Sequence, residues 1–100
     1  MASYYIVRRA PGPAWKTGVP LRSQDLWSEH VVYMNELESR GVVVLGGPVG
    51  RESDALLVID AESEQAVEEL LARDPWSKAG MRTDVIEPWT ILLDGRRREP

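Results

Sequence analysis

The apolar positions of the chain fall into runs of two kinds, and the first kind predicts β-strands. Residues 3–9, 42–49, 54–60 and 81–94 are rich in β-branched, aromatic and leucine side chains, as strands usually are. The second and third runs are separated by a short polar turn, so we interpret them as a hairpin. Pro88 cannot donate a backbone hydrogen bond, which predicts that the last strand is an edge strand or carries a bulge there.

Two other segments have apolar side chains at the i, i+3, i+4 spacing of an α-helix. The first begins around residues 23–25 and is expected to stop at Gly41, because glycine is common just past a helix C-terminus. Its apolar stripe comprises Trp27, His30, Val31, Met34 and Leu37. The second begins after Ser63, a favourable N-cap residue. Its buried face comprises Ala66, Val67, Leu70 and Leu71.

The predicted order of elements is βαββαβ, which favours an α+β, ferredoxin-like fold with a four-stranded antiparallel sheet and both helices on one face. We expect one domain over residues 1–94. Residues 10–23 contain three prolines and two glycines, which predicts a loop. Loops of that length are often functional, so this one is a candidate lid. Residues 95–100 are expected to form a solvated C-terminal tail.

The strands also predict an assembly. A sheet with one solvated face should alternate apolar and polar residues, but the runs at 42–45, 55–59 and 89–93 are apolar on both faces. Two helices cover only one face of a sheet. We therefore expect a homodimer, a dimeric α+β barrel in which the sheets of two copies pack face to face.

Composition and charge narrow the function. The 100-residue chain has a formal net charge of -4 and a sequence pI of about 5.0, so it lacks the basic surface that nucleic-acid binding requires. It has no cysteine, which excludes disulfides, thiolate nucleophiles and cysteine-ligated metals. Its sequence contains neither a membrane-spanning run nor a signal-peptide pattern. We expect a soluble cytoplasmic protein without nucleic-acid or membrane partners.

The connectivity of a βαββαβ fold brings His30 and Asp74 to the same end of the domain. His30 lies in an early turn of the first helix, and Asp74 closes the second. A carboxylate bonded to one imidazole nitrogen fixes the tautomer and stabilises the imidazolium, which leaves the other nitrogen as a general base near neutral pH. A single histidine is a poor basis for a transition-metal site, so we expect neither a metal nor a cofactor.

A purely structural interpretation of both residues is also open from the sequence. A lone histidine on the apolar border of a helix is usually packed and hydrogen-bonded. An aspartate before Pro75 is a common N-cap with proline at the first helical position. The structural and chemical roles do not exclude each other, because a cap uses only some of the acceptor sites of a carboxylate.

Several further residues are expected at this end of the domain as contacts for a small-molecule ligand. They are Arg8, Trp15, Gly47, Pro48 and Trp76. Arg8 and Arg9 alternate across their strand, so at most one of them faces a given pocket, where it could neutralise a developing oxyanion. Packing is the simpler interpretation for the two tryptophans. The glycines after the second strand serve the turn or allow the backbone to approach a ligand closely.

Over residues 4–94 the sequence resembles the YciI-like (YCII-related) family. The family pattern is a histidine in the first helix, Gly-Pro after the second strand, and Asp-Pro-aromatic with a following glycine after the second helix. These features fall on His30, Gly47-Pro48, Asp74-Pro75-Trp76 and Gly80. The resemblance implies a subunit of the dimeric α+β barrel group with a His–Asp active site at His30 and Asp74. A relative that removes chloride from a chlorinated hydroxyquinol implies lyase-type proton abstraction.

Two classes of function follow. The leading hypothesis is a small cofactor-free enzyme of lyase or isomerase type that acts on a small cyclic or aromatic compound. In this hypothesis His30 is the general base and Asp74 orients it. The alternative is a non-catalytic module of the same fold that binds a small molecule or serves only dimerisation.

Overall fold

Four strands and two helices follow one another in the order β1, α1, β2, β3, α2, β4 in the computed structural model, which describes residues 3–50 and 54–96. The strands are β1 (Tyr4–Pro11), β2 (Val43–Val49), β3 (Asp54–Asp60) and β4 (Met81–Trp89). The helices are α1 (Trp27–Ser39) and α2 (Glu64–Ala72), with 3₁₀ turns at Leu21–Ser23 and Pro75–Ser77. Most of the predicted turn after β2 and of the predicted tail lies outside the described residues, at 51–53 and 97–100.

The strands form one antiparallel sheet in the order β2-β3-β1-β4, which confirms the predicted ferredoxin-like α+β fold. β4 is an edge strand, and Pro88 pairs with Tyr5 near its end, where the missing donor is tolerated. β4 is shorter than the predicted 81–94. Trp89 pairs with Tyr4, the first residue of β1. Within the described residues, the chain after Trp89 therefore has no β1 residue to pair with.

Both helices pack on one face of the sheet, and the core lies between the two layers. The core side chains are Val7, Leu37, Val43, Leu57, Ile59, Val67 and Leu71. Val7 pairs directly with Leu57 on one side and Ile86 on the other, so these three strands present apolar residues to the same face. Residues one position away in β1 and β3 face the opposite side of the sheet, whereas the pairings of β4 and β2 each contain one irregularity.

α1 begins later than predicted, at Trp27, because the residues before it build the preceding loop instead. Gln24 is buried, and its Nε2 donates to the carbonyls of Lys16 and Val19 at 2.8 and 2.9 Å. Its Oε1 accepts the Lys16 backbone N–H at 3.1 Å. One glutamine side chain therefore satisfies backbone groups of a loop that has no strand beside it, and it fixes the shape of that loop.

The residue that precedes α1 has a left-handed backbone. Leu26 has φ 62° and ψ 22°, a conformation that costs a residue with a Cβ about 1 kcal/mol or more. The carbonyl of Leu26 accepts the N–H of His30 at 2.9 Å, and the carbonyl of Asp25 accepts Nε1 of Trp76 at 3.0 Å. The turn at Leu26 thus sets the direction of the first turn of α1, which carries His30.

The strain at Leu26 predicts an unusual order of stabilities. Leu26→Gly should be more stable than Leu26→Ala by about 1 kcal/mol, because glycine adopts positive φ without a steric penalty while both variants lose the same partly exposed side chain. Urea unfolding of the two variants measures the difference. Alanine equal to or better than glycine would show that the left-handed turn is not retained in solution.

Candidate functional site

The end of α2 places a carboxylate in the protein interior. Asp74 is fully buried, and its Oδ1 accepts the backbone N–H of Trp76 at 3.1 Å, which caps the 3₁₀ turn Pro75–Ser77. Pro75 suits the first position of this turn because its missing N–H needs no partner there. The structural interpretation of Asp74 as a cap therefore agrees with the geometry, and the carboxylate still has acceptor sites for other donors.

The imidazole of His30 uses some of those acceptor sites. Its Nδ1 lies 2.9 Å from Oδ1 and 3.0 Å from Oδ2 of Asp74, although the two residues are 44 positions apart. An ionised carboxylate only accepts hydrogen bonds, so Nδ1 is assigned the hydrogen, and in the neutral ring Nε2 then has the lone pair. The His30 side chain is 15% exposed, which leaves it reachable from a cavity beside α1.

The guanidinium of Arg9 is the second charged donor to Asp74. Its Nη1 lies 2.5 Å from Oδ2 of Asp74. Its Nη2 donates to Oγ of Ser77 at 2.8 Å and to the carbonyl of Met81 at 3.3 Å. The Arg9 side chain is 2% exposed, and a guanidinium so deeply buried requires a counter-charge and partners for its donors. Arg9 thus joins β1 to the turn that follows α2.

Arg8, the arginine chosen from the sequence, lies on the opposite face of the sheet. It pairs with Asp54 at 2.8 Å and is 42% exposed, and it does not line the cavity beside His30. β1 has large apolar side chains on both faces, so its pattern did not reveal which arginine faces the helices. The strand register shows that Arg9 faces the helices, because Val7 is a core residue and Arg9 follows it at the strand period of two.

The charges around Asp74 decide its protonation. Burial raises the pKa of Asp74, but the hydrogen bond from His30, the Trp76 N–H and the Arg9 guanidinium act in the opposite direction and outweigh it. The pKa of Asp74 is therefore below its ordinary value, and the carboxylate is ionised at neutral pH. Asp74 can accept hydrogen bonds there but cannot itself supply a proton.

Trp76 covers one face of the imidazole. The rings of Trp76 and His30 are stacked, with centroids 3.8 Å apart and an interplanar angle of 10°. Trp27 and Trp15 lie around Trp76 with centroids at 5.3 and 5.4 Å. Trp15 therefore contacts the site through Trp76, and Trp76 holds the plane of the His30 ring.

Gly80 allows the loop that carries Trp15 to reach the site. Its φ is 116°, and a Cβ at this position would overlap the backbone nitrogen of Trp15. The carbonyl of Gly80 also accepts the N–H of Gly12. Gly80 therefore has a physical role, because it lets the chain after β1 lie directly against the chain after α2.

A cavity of about 420 Å³ opens between α1 and the strands β2 and β3 beside His30. Its lining includes Trp27, His30, Met34, Asn35, Glu38, Gly46, Gly47, Pro48, Asp54, Leu57 and Trp76. Of the predicted ligand contacts, Gly47, Pro48 and Trp76 lie here together with His30, whereas Arg8 and Trp15 do not. A Cβ at Gly46 would lie 2.6 Å from Cδ2 of Leu57, so glycine keeps β2 close to this part of β3.

The described residues add two further observations. Within residues 3–50 and 54–96, no group of three or more His, Cys, Asp or Glu side chains is arranged to hold a metal ion. In the same ranges neither helix combines the length and the apolar character that crossing a bilayer requires.

Comparisons with known proteins bear on the architecture. The model of the YCII-related domain matches residues 12–90. Among solved structures, the 5-chloro-2-hydroxyhydroquinone dehydrochlorinase of Burkholderia phenoliruptrix AC1100, in complex with 2,5-dihydroxybenzoquinone, is similar with a TM-score of 0.67 at 24% identity. The similarity covers 87% of this chain and 93% of that one, and it supports the same fold. No curated protein matches the chain.

The lowered pKa of Asp74 predicts how an Asp74→Asn variant depends on pH. At pH 7 the variant should be less stable than the native protein by about 3 kcal/mol, because Arg9 loses its buried counter-charge. The ionised carboxylate stabilises the fold above its unfolded pKa of about 4, and this contribution is lost as the pH falls through the lower folded pKa.

The difference in the free energy of unfolding between the native protein and Asp74→Asn should therefore shrink below about pH 4. Urea unfolding at several pH values measures it. Asp25→Asn, which removes an exposed partner of Lys16, is the matched control and should change stability by less than about 1 kcal/mol. A pH-independent difference for Asp74→Asn would contradict the assignment of an ionised carboxylate.

Proposed function

Since the chain belongs to the YCII-related domain family, we propose that it is a small cofactor-free enzyme of lyase type that moves a proton on a small aromatic or cyclic compound. The compound carries a hydroxyl or carbonyl group. His30 is the general base, and Asp74 orients it. The observation that carries the proposal is the 2.9 Å contact between Nδ1 of His30 and the buried carboxylate of Asp74, beside a cavity that His30 lines.

The chemistry follows from the assigned tautomer. Nε2 of His30 accepts a proton from a hydroxyl group or from a carbon next to a carbonyl, and Asp74 stabilises the imidazolium that forms. The imidazolium can return the proton elsewhere on the ring, which is an isomerisation. Alternatively, a leaving group departs with its bonding electrons, which is an elimination. The similar dehydrochlorinase is named for loss of HCl from a chlorinated hydroquinone, a reaction that also needs an acceptor for a proton.

The size and the lining of the cavity support a small compound. Its volume of about 420 Å³ lies within the usual range for small-molecule sites. Trp27, Met34 and Leu57 supply apolar walls, while Gly47 and Pro48 bring backbone to the lining. We propose that Gly47, Pro48 and Trp76 contact the ligand. The absence of a cofactor and a cytoplasmic location stay predictions.

The proposed role of His30 predicts a large loss of activity in His30→Ala. With a compound from a panel of hydroxylated aromatics and cyclic ketones that the native protein converts, the variant should lose about 100-fold or more in kcat, the usual contribution of a general base. Mass spectrometry of products measures turnover. Val32→Ala removes a side chain that is 69% exposed on the same helix and is the control, with turnover expected at the native rate.

Unchanged turnover in His30→Ala would contradict the proposal. Ligand-dependent thermal stabilisation without any product, across the panel, would favour the alternative of a non-catalytic binding module.

We also propose a homodimer formed through the sheet face opposite the helices. The pairing of the strands puts Tyr4, Ile6, Leu45, Leu56, Val58 and Trp89 on that face, with Leu45 opposite Val58 after an irregularity in β2. Leu45 is 47% and Trp89 is 42% exposed, so two large apolar side chains of this face contact water. A second copy that buries about 800 Å² on each partner would remove this surface from water.

Sedimentation equilibrium at micromolar concentration should report a dimer for the native protein and a monomer for Leu45→Glu. The glutamate is harmless in the monomer, where this position is exposed, but it would be an unpaired charge in an apolar interface. Val32→Glu, at an exposed apolar position on α1, is the control and should stay dimeric. A native protein that sediments as a monomer would contradict the proposed assembly.

A further inference from the structure

Arg9 hydrogen-bonds to several groups of the fold, and it shares the carboxylate of Asp74 with His30. Its two terminal nitrogens bind Asp74, Ser77 and the Met81 carbonyl, while Nε has no hydrogen-bond partner among the described residues. Arg9 and His30 also line one small space of about 40 Å³. The guanidinium of Arg9 and the imidazole of His30 therefore share one carboxylate and lie close together in the protein interior.

We infer that Arg9 is a positioning residue that keeps His30 in its neutral, proton-accepting form. The buried group has one negative charge, on Asp74, and Arg9 already balances it. A neutral imidazole leaves the group uncharged, whereas an imidazolium gives it a net positive charge in a poorly solvated place. If Arg9 were absent, Asp74 would be free to form an ion pair with a protonated His30.

The orientation of Arg9 is part of this role. Ser77 receives the Arg9 hydrogen bond while its own hydroxyl donates to the Leu71 carbonyl at 2.6 Å, so the guanidinium is aligned by a side chain that is itself fixed. Arg9 holds Asp74 through Oδ2, and Asp74 in turn holds Nδ1 of His30. The lone pair of Nε2 is thereby kept on the side of the ring away from the carboxylate.

Two other charged groups near His30 are more exposed than Asp74 and Arg9. Within the described residues, the carboxylates that line its cavity are Asp54 from β3 and Glu38 from α1. Asp54 is paired with Arg8, and Glu38 is exposed at the outer end of the helix. Charges that water reaches act more weakly because water and salt screen them, and Asp74 and Arg9 are the buried charges beside His30.

The chain has one histidine, so its ring can be followed by NMR without assignment ambiguity. In the native protein at pH 7.5, ring ¹⁵N shifts should report a neutral imidazole with the hydrogen on Nδ1. In Arg9→Met the midpoint of the His30 titration should move up by about one pH unit or more, the usual effect of a change in close charges. Arg9→Lys keeps the positive charge but lacks the planar guanidinium. Its titration midpoint should lie between those of the native protein and Arg9→Met.

Arg82→Met is the matched control, because Arg82 pairs with a carboxylate on the surface of β4. Its removal should leave the His30 titration unchanged. The inference is overturned by an unmoved midpoint in a folded Arg9→Met variant, or by an imidazolium in the native protein at pH 7.5. The native measurement and Arg9→Lys keep the test decisive even where Arg9→Met does not fold.

The catalytic meaning of Arg9 rests on the proposed function, but the titration needs no substrate. A moved midpoint without any turnover in the native protein would support the role of Arg9 and contradict the proposed enzyme. An unmoved midpoint together with turnover by the native protein would support the proposed enzyme and contradict the role of Arg9. With a substrate, the pH–rate profile of Arg9→Met should move to higher pH by the same amount as the titration, whereas a merely structural role would lower the rate without moving the profile.

Discussion

The buried carboxylate of Asp74 is the group on which the rest of this end of the molecule depends. It accepts hydrogen bonds from the backbone of Trp76, from the imidazole of His30 and from the guanidinium of Arg9. These donors belong to the turn after α2, to α1 and to β1. Because a buried carboxylate is tolerated only when its acceptor sites are filled, all three elements must meet at one point. The first turns of α1 are therefore fixed against the sheet.

The elements of the fold could be predicted from sequence patterns, but the start of α1 and the end of β4 could not. Runs of β-branched, aromatic and leucine residues identified the strands, and the i, i+3, i+4 spacing of apolar residues identified the helices. The start of α1 was misplaced because Gln24 binds backbone carbonyls eight and five residues away, and no periodic pattern encodes a contact within an irregular loop. β4 stopped at Trp89 although its apolar pattern continues, because strand length depends on the partner strand.

Within the site, His30 and Asp74 could be brought together from topology, since both lie at ends of elements whose directions the fold fixes. The distinction between Arg8 and Arg9 could not be drawn from β1 alone. Tyr4 and Ile6 on one face are as apolar as Tyr5 and Val7 on the other, so the strand has no polar side to identify. Only the pairing of Val7 with Leu57 and Ile86 determines which arginine is buried.

A buried ion pair is weak support for stability, because well-packed apolar side chains of similar volume often serve a fold as well or better. The pair of Arg9 and Asp74 therefore needs a reason other than strength. Its location supplies one. The carboxylate of Asp74 binds His30, which is the only histidine of the chain. His30 lines a cavity, and it is stacked on Trp76, which fixes the plane of its ring. An apolar replacement of both charges could preserve the packing of β1 against the turn after α2. It would leave Nδ1 of His30 without an acceptor and the tautomer undetermined, so the ion pair is better explained by the hydrogen bond that Asp74 makes to His30 than by the stability that it adds.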